Sequence, residues 1–446
     1  MDTLMEISRD IYLRRLADRR ENGLIKVITG IRRCGKSYLL NTLFYRHLLE
    51  TGVKEEKIIR FAFDSAEDLS LIGEDIIAME RDKRKADPGK FMAWLSQKIK
   101  GDGGKGNGGK GDDTYYLLLD EVQNLEAFES VLNSYLRHQN LDIYVTGSNS
   151  KFLSSDIITE FAGRGDEIHV HPLSFAEYYT ACKDKSPVQA FDDYMTFGGL
   201  PFCALISSDE QKAAYLDAQM KNVYLRDIVR RYGLQHEENL RELVSVVASD
   251  TASLTNPAKL SRTFDSVKHS GLSAQTIDRY ISFLEEAFLI KRALRFDVRG
   301  RKYINTPYKL YFEDTGLRNA QLSFRQLEPA YLMENIIYNE LRLRGFSVDV
   351  GVVPIRETGP DGKEMKKQLE IDFVANKGSQ RYYIQSAWMI PDEAKRRQEL
   401  RSFDMTRDSF KKILISGTEL KPRRDEMGYV TMGVIDFLLD AESLER

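Results

Sequence analysis

The sequence contains 446 residues, a length that favours two to four domains, each large enough to bury a core. Its 65 basic and 68 acidic residues leave a net charge of −3, which excludes a global positive field for nucleic acid or a membrane surface. The three cysteines lie too far apart for a zinc motif or a disulfide framework, which fits a reducing compartment. Because no run approaches about 18 apolar residues, we expect a cytoplasmic protein without a membrane partner.

Short β-rich runs alternate with helical patterns from residue 24 to about residue 172. The runs occupy residues 24–29, 58–63, 115–120, 141–146 and 167–172. This alternation predicts an α/β fold with a parallel sheet. The pattern is helical from residue 209 to about 290, and the segments after it alternate between β-like and helical, which predicts a further α+β region.

The segment GIRRCGKS, residues 30–37, directly follows the first run and precedes a helical pattern. This spacing is typical of a phosphate-binding loop, in which backbone N–H groups and the positive end of the next helix hold phosphate. We expect Lys36 to reach the β- and γ-phosphates of ATP and Ser37 to bind Mg²⁺. The residues predicted to bind the nucleotide are Gly30, Ile31, Arg32, Arg33, Cys34, Gly35, Lys36, Ser37 and Tyr38.

Two acids end the third run, in YYLLLDEVQ, residues 115–123. Open α/β sheets bind ligands at the carboxyl ends of their strands. We therefore predict that Asp120 holds Mg²⁺ and that Glu121 polarises the water that attacks ATP. The next run ends in TGSNS, residues 146–150, so either Ser148 or Asn149 is expected to orient that water.

Arg164 lies in FAGRGDE, between the fourth and fifth runs. An arginine supplied to a neighbouring subunit's nucleotide can be worth about 10³–10⁵ in rate. Two interpretations stay open: a catalytic residue that acts across a homo-oligomer, and an ordinary surface arginine.

These motifs, in this order, resemble a known group. GIRRCGKS, LLLDEVQ, TGSNS, AGR and HPLSFAEY (171–178), followed by FGGLP (197–201), are similar to prokaryotic AAA-type P-loop ATPases of the AAA_14 class that carry a C-terminal DUF4143 region. The resemblance implies an ATPase core, a winged-helix segment and a C-terminal α+β restriction-endonuclease-like domain. We accordingly predict an AAA-type ATPase domain over residues 1–205, a helical, winged-helix domain over 206–325 and a degenerate nuclease-fold domain over 326–446.

The predicted winged-helix domain contains a helix with one apolar stripe, in residues 271–290. The segment LIKRALRFDVRGRK, residues 289–302, then carries six basic residues and one acid, as a wing hairpin that contacts phosphates would. The polar face of the helix is acidic, which favours a lid or a protein contact over DNA reading. Both a protein and a DNA partner stay open.

The C-terminal strands raise the question of nucleic-acid cleavage. A restriction-endonuclease-like site needs a helix glutamate, a strand aspartate and, on the next strand, Glu or Gln followed two residues later by Lys. Glu334 or Glu340, Asp372 and Gln385 fill the first three places, and Ala387 stands at the fourth. Because alanine supplies neither charge nor a proton, we predict a binding or oligomerisation module that does not cleave. Four lysines could supply the missing amine: Lys363, Lys366, Lys367 and Lys377.

The sequence therefore predicts a Mg²⁺-dependent ATPase whose turnover rearranges a winged-helix and a nuclease-like domain. The main alternative is an ATP-gated switch or nucleic-acid-binding regulator that binds ATP, hydrolyses it slowly and displays the other domains to a partner. An active nuclease is a third alternative.

Overall fold

The computed structural model describes residues 6–100, 114–138, 140–147, 161, 163–182, 184–268, 272–358, 364–418 and 421–445. The chain divides into two compact units. Residues 8–171 form the N-terminal unit, and residues 172–446 with residues 1–7 form the C-terminal unit. No helix in the described parts of the chain is long and apolar enough to cross a membrane.

A parallel five-stranded sheet lies at the centre of the N-terminal unit, which confirms the predicted α/β fold. Its strands are β1 (Ile25–Thr29), β2 (Ile58–Ala62), β3 (Tyr115–Asp120), β4 (Leu141–Thr146) and β5 (Gly165–His169). Their order across the sheet is β2-β3-β4-β1-β5. Val145 lies between Leu119 on one side and Val27 on the other, so the carboxyl ends of β3, β4 and β1 meet at one edge.

The strands of this sheet are buried because helices cover it. Every residue of β1 and β3 is buried, as expected for parallel strands with both faces covered. The helical segments of the unit are Asp10–Ala17, Lys36–Tyr38, Leu39–Phe44 (a π-helix), Tyr45–Glu50, Glu55–Lys57 (3₁₀), Ala66–Leu71, Ile76–Arg81, Pro88–Lys100, Val122–Asn124 (3₁₀) and Phe128–Tyr135.

The C-terminal unit begins with helices and continues into a second sheet. Its helical segments are Phe175–Thr180, Pro187–Phe197, Pro201–Leu205, Asp209–Ala218, Gln219–Leu225 (π), Arg226–Tyr232, Glu237–Ser249, Pro257–Lys268, Ala274–Glu286, Thr315–Gln321, Pro329–Leu343, Glu393–Asp404 and Val434–Leu439. Its strands are β6 (Ile290–Asp297), β7 (Lys302–Phe312), β8 (Ser347–Thr358), β9 (Glu364–Lys377), β10 (Gln380–Ala387), β11 (Lys411–Ser416), β12 (Arg423–Arg424) and β13 (Val430–Gly433).

These strands form one mixed sheet in the order β12-β13-β11-β10-β9-β8-β6-β7. Helix Pro329–Leu343 contributes Met333, Ile337 and Leu341 to a core that also contains Phe373 of β9. Leu400 and Phe403, from helix Glu393–Asp404, belong to a separate core with residues of β9 and β10. The predicted α+β character of this region is therefore present, and its strands are continuous with the hairpin that precedes them.

The hairpin predicted as a basic wing is part of this sheet. Strand β6 pairs in parallel with β8, where Arg295 stands opposite Val350. Arg295 is 8% exposed. Arg299 donates hydrogen bonds to the carbonyl oxygens of Met405 at 2.9 Å and Pro354 at 2.7 Å. These two guanidinium groups contact the protein itself, so Arg295 and Arg299 are not the exposed phosphate contacts that a DNA-binding wing would present.

The two compact units differ from the three predicted segments. Residues 172–205 belong to the C-terminal unit, although the sequence prediction extended the ATPase domain to residue 205. One reason is the FGGLP segment, whose Gly199 N–H donates to Asp314 Oδ2 at 2.7 Å. Gly198 adopts a φ of 71°, and a Cβ there would lie 2.3 Å from Asp314 Oδ1. The FGGLP segment therefore packs closely against Asp314 within the C-terminal unit.

Candidate functional site

The loop between β1 and the next helix contains residues with positive φ values, which the two glycines of GIRRCGKS predict. Gly30 has a φ of 139°, and a Cβ on it would lie 2.2 Å from the carbonyl oxygen of Val170. Arg33 and Gly35 also have positive φ values, 62° and 99°. The helix begins at Lys36, directly after this turn. The loop thus lies at the carboxyl edge of the sheet with a helix N-terminus behind it, which is the arrangement that suits phosphate.

Lys36 folds back onto its own loop. Its ammonium donates to the carbonyl oxygens of Gly30 at 3.0 Å and Ile31 at 2.9 Å, and the residue is 5% exposed. Arg9 braces the same loop, because its guanidinium donates to Cys34 O at 3.3 Å and to His171 O at 2.7 Å.

The Asp120 carboxylate accepts hydrogen bonds from side chains of three other elements. Ser37 Oγ donates to Oδ1 at 3.1 Å, Asn41 Nδ2 donates to Oδ2 at 3.1 Å, and Thr146 Oγ1 donates to Oδ1. Burial raises the pKa of Asp120, and its hydrogen bonds with Thr146 and Ser37 oppose that rise. The carboxylate therefore connects the phosphate loop's helix to β3 and β4.

Glu121 occupies a constrained position beside Asp120. Its φ of 49° is left-handed, and its N–H donates to Thr146 Oγ1 at 3.1 Å. Gln123 Nε2 donates a hydrogen bond to Glu121 Oε2. Asp64 follows β2 at the same edge, and partial desolvation, followed by the charges of Asp120 and Glu121, raises its pKa.

The C-terminal unit contains a second charged cluster. Lys309 of β7 lies with its ammonium 2.8 Å from Glu334 Oε1, 2.8 Å from Glu370 Oε1 and 3.6 Å from Asp372 Oδ1. Tyr311 donates to the same Glu334 oxygen at 2.7 Å. Burial alone would lower the pKa of Lys309, but the charges of these three carboxylates raise it.

Asp372 is the most perturbed acid of that cluster. Burial, followed by the charge of Glu334, raises its pKa to about 8. Its Oδ2 accepts from the N–H of Ser386 at 2.8 Å, and its own N–H donates to Gln385 Oε1 at 3.4 Å. The structure thus brings together the predicted Glu334, Asp372 and Gln385, whereas Glu340 pairs with Arg344 at 2.7 Å.

The amine in this cluster comes from a lysine that the sequence argument did not consider. Lys309 is 3% exposed and reaches the carboxylates from β7. Lys367 lies 3.6 Å from Glu357, and Lys377 donates to Arg344 O at 2.8 Å. Lys366 is exposed, and Lys363 lies outside the described residues.

Known proteins resemble this chain over nearly its whole length. A protein of Haemophilus influenzae, described as uncharacterized, is 32% identical over 439 residues, which are 97% of this chain and 98% of that protein. The chain belongs to the same family. An uncharacterized protein of Methanocaldococcus jannaschii is 24% identical over 416 residues, 89% of this chain and 81% of its own length.

Family models divide the chain in two. A model described as "AAA domain" matches residues 22–179, so the N-terminal unit is that of an AAA-type P-loop ATPase family. A second, described as "Domain of unknown function (DUF8612)", matches residues 188–328, which cover the predicted winged-helix domain over 206–325. The AAA assignment is confirmed, whereas the DUF4143 assignment over residues 326–446 is not shown.

Some solved structures resemble part of this chain. The ORC2 protein of Aeropyrum pernix is 12% identical, with a TM-score of 0.37 over 65% of this chain and 89% of that one. Cdc6p of Pyrobaculum aerophilum is 12% identical, with a TM-score of 0.28 over 73% and 95%. At these TM-scores the likeness supports no argument about this chain.

The residues of the phosphate loop differ in how far they are exposed to solvent. Ile31 and Cys34 are 1% and 0% exposed, so they offer a nucleotide their backbone, and Arg32 is half-buried. Arg33, Ser37 and Tyr38 are exposed. Ser148 and Asn149 lie outside the described residues.

Arg164 lies at the far edge of the AAA domain's sheet. Its carbonyl oxygen accepts from Ile25 N at 2.9 Å, at the amino end of β1, whereas the phosphate loop follows the carboxyl end. Five strand residues of about 3.3 Å each separate the two ends by about 16 Å. Arg164 therefore lies at the opposite edge of the sheet from the phosphate loop of its own subunit, and a catalytic role toward a neighbouring subunit stays a prediction.

Sequence reasoning missed several residues of both sites. Thr146 and Gln123 lie in the segments TGSNS and YYLLLDEVQ, and their signal is a polar residue at or just after the end of an apolar run. Asn41 could have been found as a polar residue on the helix after the loop. Arg9 and Lys309 gave no signal, because their partners are distant in the sequence.

Proposed function

We propose that the AAA domain binds ATP with Mg²⁺ and hydrolyses it. The observation that carries the proposal is the Asp120 carboxylate, which accepts a hydrogen bond from Ser37 at 3.1 Å at the mouth of the phosphate loop. A hydroxyl and a carboxylate oxygen this close are the hard ligands that Mg²⁺ prefers. We assign Mg²⁺ to these two residues, where the ion would neutralise phosphate charge.

Lys36 and Glu121 are proposed as the residues that touch the reacting groups. Lys36 would exchange its two carbonyl partners for phosphate oxygens, which are stronger acceptors for an ammonium. Glu121 would accept the proton of a water whose oxygen bonds to the γ-phosphorus as the bond to the bridging oxygen of ADP breaks. Asn149 is proposed to orient that water.

We propose that ATP turnover rearranges the C-terminal unit. The alternative is an ATP-gated switch, which would bind ATP and hydrolyse it slowly. Steady-state turnover with Mg²⁺ and ATP, measured beside ATP affinity, separates the two. A remodelling ATPase should cycle many times a minute, whereas a switch should bind tightly and turn over slowly.

The proposed partner is a protein or a nucleic acid that contacts the C-terminal unit. Among the basic residues of the β6–β7 hairpin, Lys291, Arg301 and Lys302 are exposed. Replacing these three together with alanine tests the DNA partner. Each lost phosphate contact should remove about 0.9 from the log–log salt slope of DNA affinity. An unchanged slope, or no DNA affinity in the parent chain, would favour a protein partner.

Phosphodiester cleavage in the C-terminal unit is the second candidate function. The observation that favours it is Lys309, whose ammonium lies beside Glu334, Glu370 and Asp372 and supplies the amine that Ala387 lacks. Incubation of DNA and RNA with Mg²⁺ or Mn²⁺ tests it, with Asp372→Asn as the inactive control. Equal cleavage by both proteins would indicate a contaminant, and no cleavage would leave the cluster a structural ion network.

A further inference from the structure

One buried arginine connects the phosphate loop to the chain that follows β5. The Arg9 guanidinium donates to Cys34 O at 3.3 Å, inside the loop, and to His171 O at 2.7 Å. Its central carbon lies 4.6 Å from the centre of the Tyr12 ring. The hydroxyl of Tyr12 accepts from His171 N at 3.0 Å. Arg9 is therefore held against an aromatic ring that is bonded to the same segment.

The segment that Arg9 reaches is anchored against the start of the loop. Val170 N donates to Thr29 O at 2.8 Å, and the carbonyl oxygen of Val170 occupies the space that a Cβ on Gly30 would need. Gly30 begins the loop, and Cys34 lies near its end. Arg9 therefore fixes the second half of the loop to a segment that already packs on the first half.

The hydrogen bond at Cys34 O sets the direction of the next N–H. In a planar trans peptide, the C=O of Cys34 and the N–H of Gly35 point in opposite directions. The Gly35 N–H therefore points away from Arg9, and it donates to none of the described residues. A cation at the carbonyl also polarises the peptide unit, which makes this N–H a stronger donor. Gly35 directly precedes the helix that begins at Lys36, where N–H groups suit phosphate.

We propose that Arg9 is a positioning residue for the nucleotide, because its hold on Cys34 O aims the Gly35 N–H at a phosphate. This rests on the ATP binding proposed above. The backbone of such a loop contacts the α- and β-phosphates, which ATP and ADP share, so loss of Arg9 should weaken both ligands equally. These contacts are made in the bound ground state and in the transition state alike, so kcat should stay the same.

The test replaces Arg9 with methionine, which is unbranched and has no N–H donor. We expect isothermal titration calorimetry to show a rise of about tenfold in the Kd of ATP and of ADP, with kcat at saturating ATP unchanged. A destabilised fold would instead lower the number of binding sites per chain at an unchanged Kd, which would refute the positioning role. Arg9→Lys retains a cationic donor and should weaken both nucleotides by less, and it decides the matter if the methionine variant does not fold.

A matched control comes from Arg19, whose guanidinium donates to Asp166 at 3.0 Å, near the other end of β5, and to Arg15 O at 3.0 Å. Arg19→Met should leave both Kd values unchanged, and an equal loss in this variant would refute a specific role for Arg9. If the parent protein binds neither ATP nor ADP, the proposed function falls and this inference falls with it. If the parent binds both and folded Arg9→Met binds them equally well, ATP binding stands and only the positioning role of Arg9 is refuted.

Discussion

Ser37 Oγ donates a hydrogen bond of 3.1 Å to Asp120 Oδ1, although 83 positions separate the two residues. Asn41, from the same helical stretch, donates to the other oxygen of that carboxylate. Strand β4 lies between β1 and β3, so the site forms only when three strands align at their carboxyl ends. The nucleotide site therefore depends on the order of the strands in the sheet, because that order brings its residues together.

Lys36→Ala should weaken ATP binding by about tenfold to 100-fold, because hydrogen bonds from an ammonium to phosphate are lost. Isothermal titration calorimetry with Mg²⁺ and ATP measures the change. Lys54→Ala is the control, since the Lys54 side chain is 76% exposed and pairs only weakly with Glu56 at 3.8 Å. An unchanged Kd in Lys36→Ala would contradict the phosphate-loop assignment.

Glu121→Gln should preserve ATP affinity and lower kcat by about 10²–10⁴-fold, because only proton acceptance from water is removed. Single-turnover assays measure the loss of hydrolysis, and filter binding measures the ATP that stays bound. Weakened binding instead would mean that Glu121 supports the metal or the loop.

Arg164→Ala tests action across a subunit boundary. Arg164→Ala and Glu121→Gln proteins, each inactive alone, should regain activity when mixed, since a mixed interface pairs an intact Glu121 with an intact Arg164. Light scattering with ATP establishes whether an oligomer forms and exchanges. A monomer in which Arg164→Ala hydrolyses at the parent rate would exclude both the trans role and the proposed oligomer.

The free energy of unfolding should depend on pH through Asp372. Its pKa rises from 3.8 to about 8 on folding, so the folded protein binds the proton more tightly than the unfolded chain. The resulting stabilisation is complete below about pH 4 and is lost as pH rises through about 8. Glu334, Glu370 and Lys309 face the same group.

Asp372→Asn provides the comparison, because an amide does not titrate. Urea unfolding of both proteins between pH 5 and about 8.5 should show the parent losing stability relative to the variant as pH increases. Parallel curves for the two proteins would show that Asp372 is ionised throughout this range.

Gly198→Ala should destabilise the C-terminal unit through a collision with Asp314. Gly198 has a φ of 71° and a ψ of −165°, a region almost confined to glycine, so a residue with a side chain there costs about 1–3 kcal/mol. Forcing a Cβ into an occupied position adds about 1–3 kcal/mol. Gly233→Ala is the comparison for a positive φ in open space, because Gly233 has a φ of 59° and nothing within 4 Å of its Cβ position. Chemical denaturation should give the larger loss for Gly198→Ala, and equal losses would contradict the close approach.

The sequence alone was sufficient for the parallel α/β fold of the N-terminal unit and for the phosphate loop. Strand, loop and helix lie within residues 25–50, and their signals are local: an apolar run, two glycines and an amphipathic helix. The acids after β3 were predictable for the same reason, since a parallel sheet collects the ends of its strands at one edge.

Only the tertiary structure showed which distant residues contact Arg9 and Lys309. Arg9 at the loop and Lys309 among the carboxylates meet groups up to 162 and 63 positions away, and nothing in the local pattern distinguishes a buried, paired cation from a solvated one. The parallel pairing of β6 with β8 is equally non-local. For this reason the sequence, with six basic residues in the hairpin segment, predicted an exposed wing. Pairing across the chain depends on which strands become neighbours, whereas the alternation of residues along a strand specifies only which of its faces is buried.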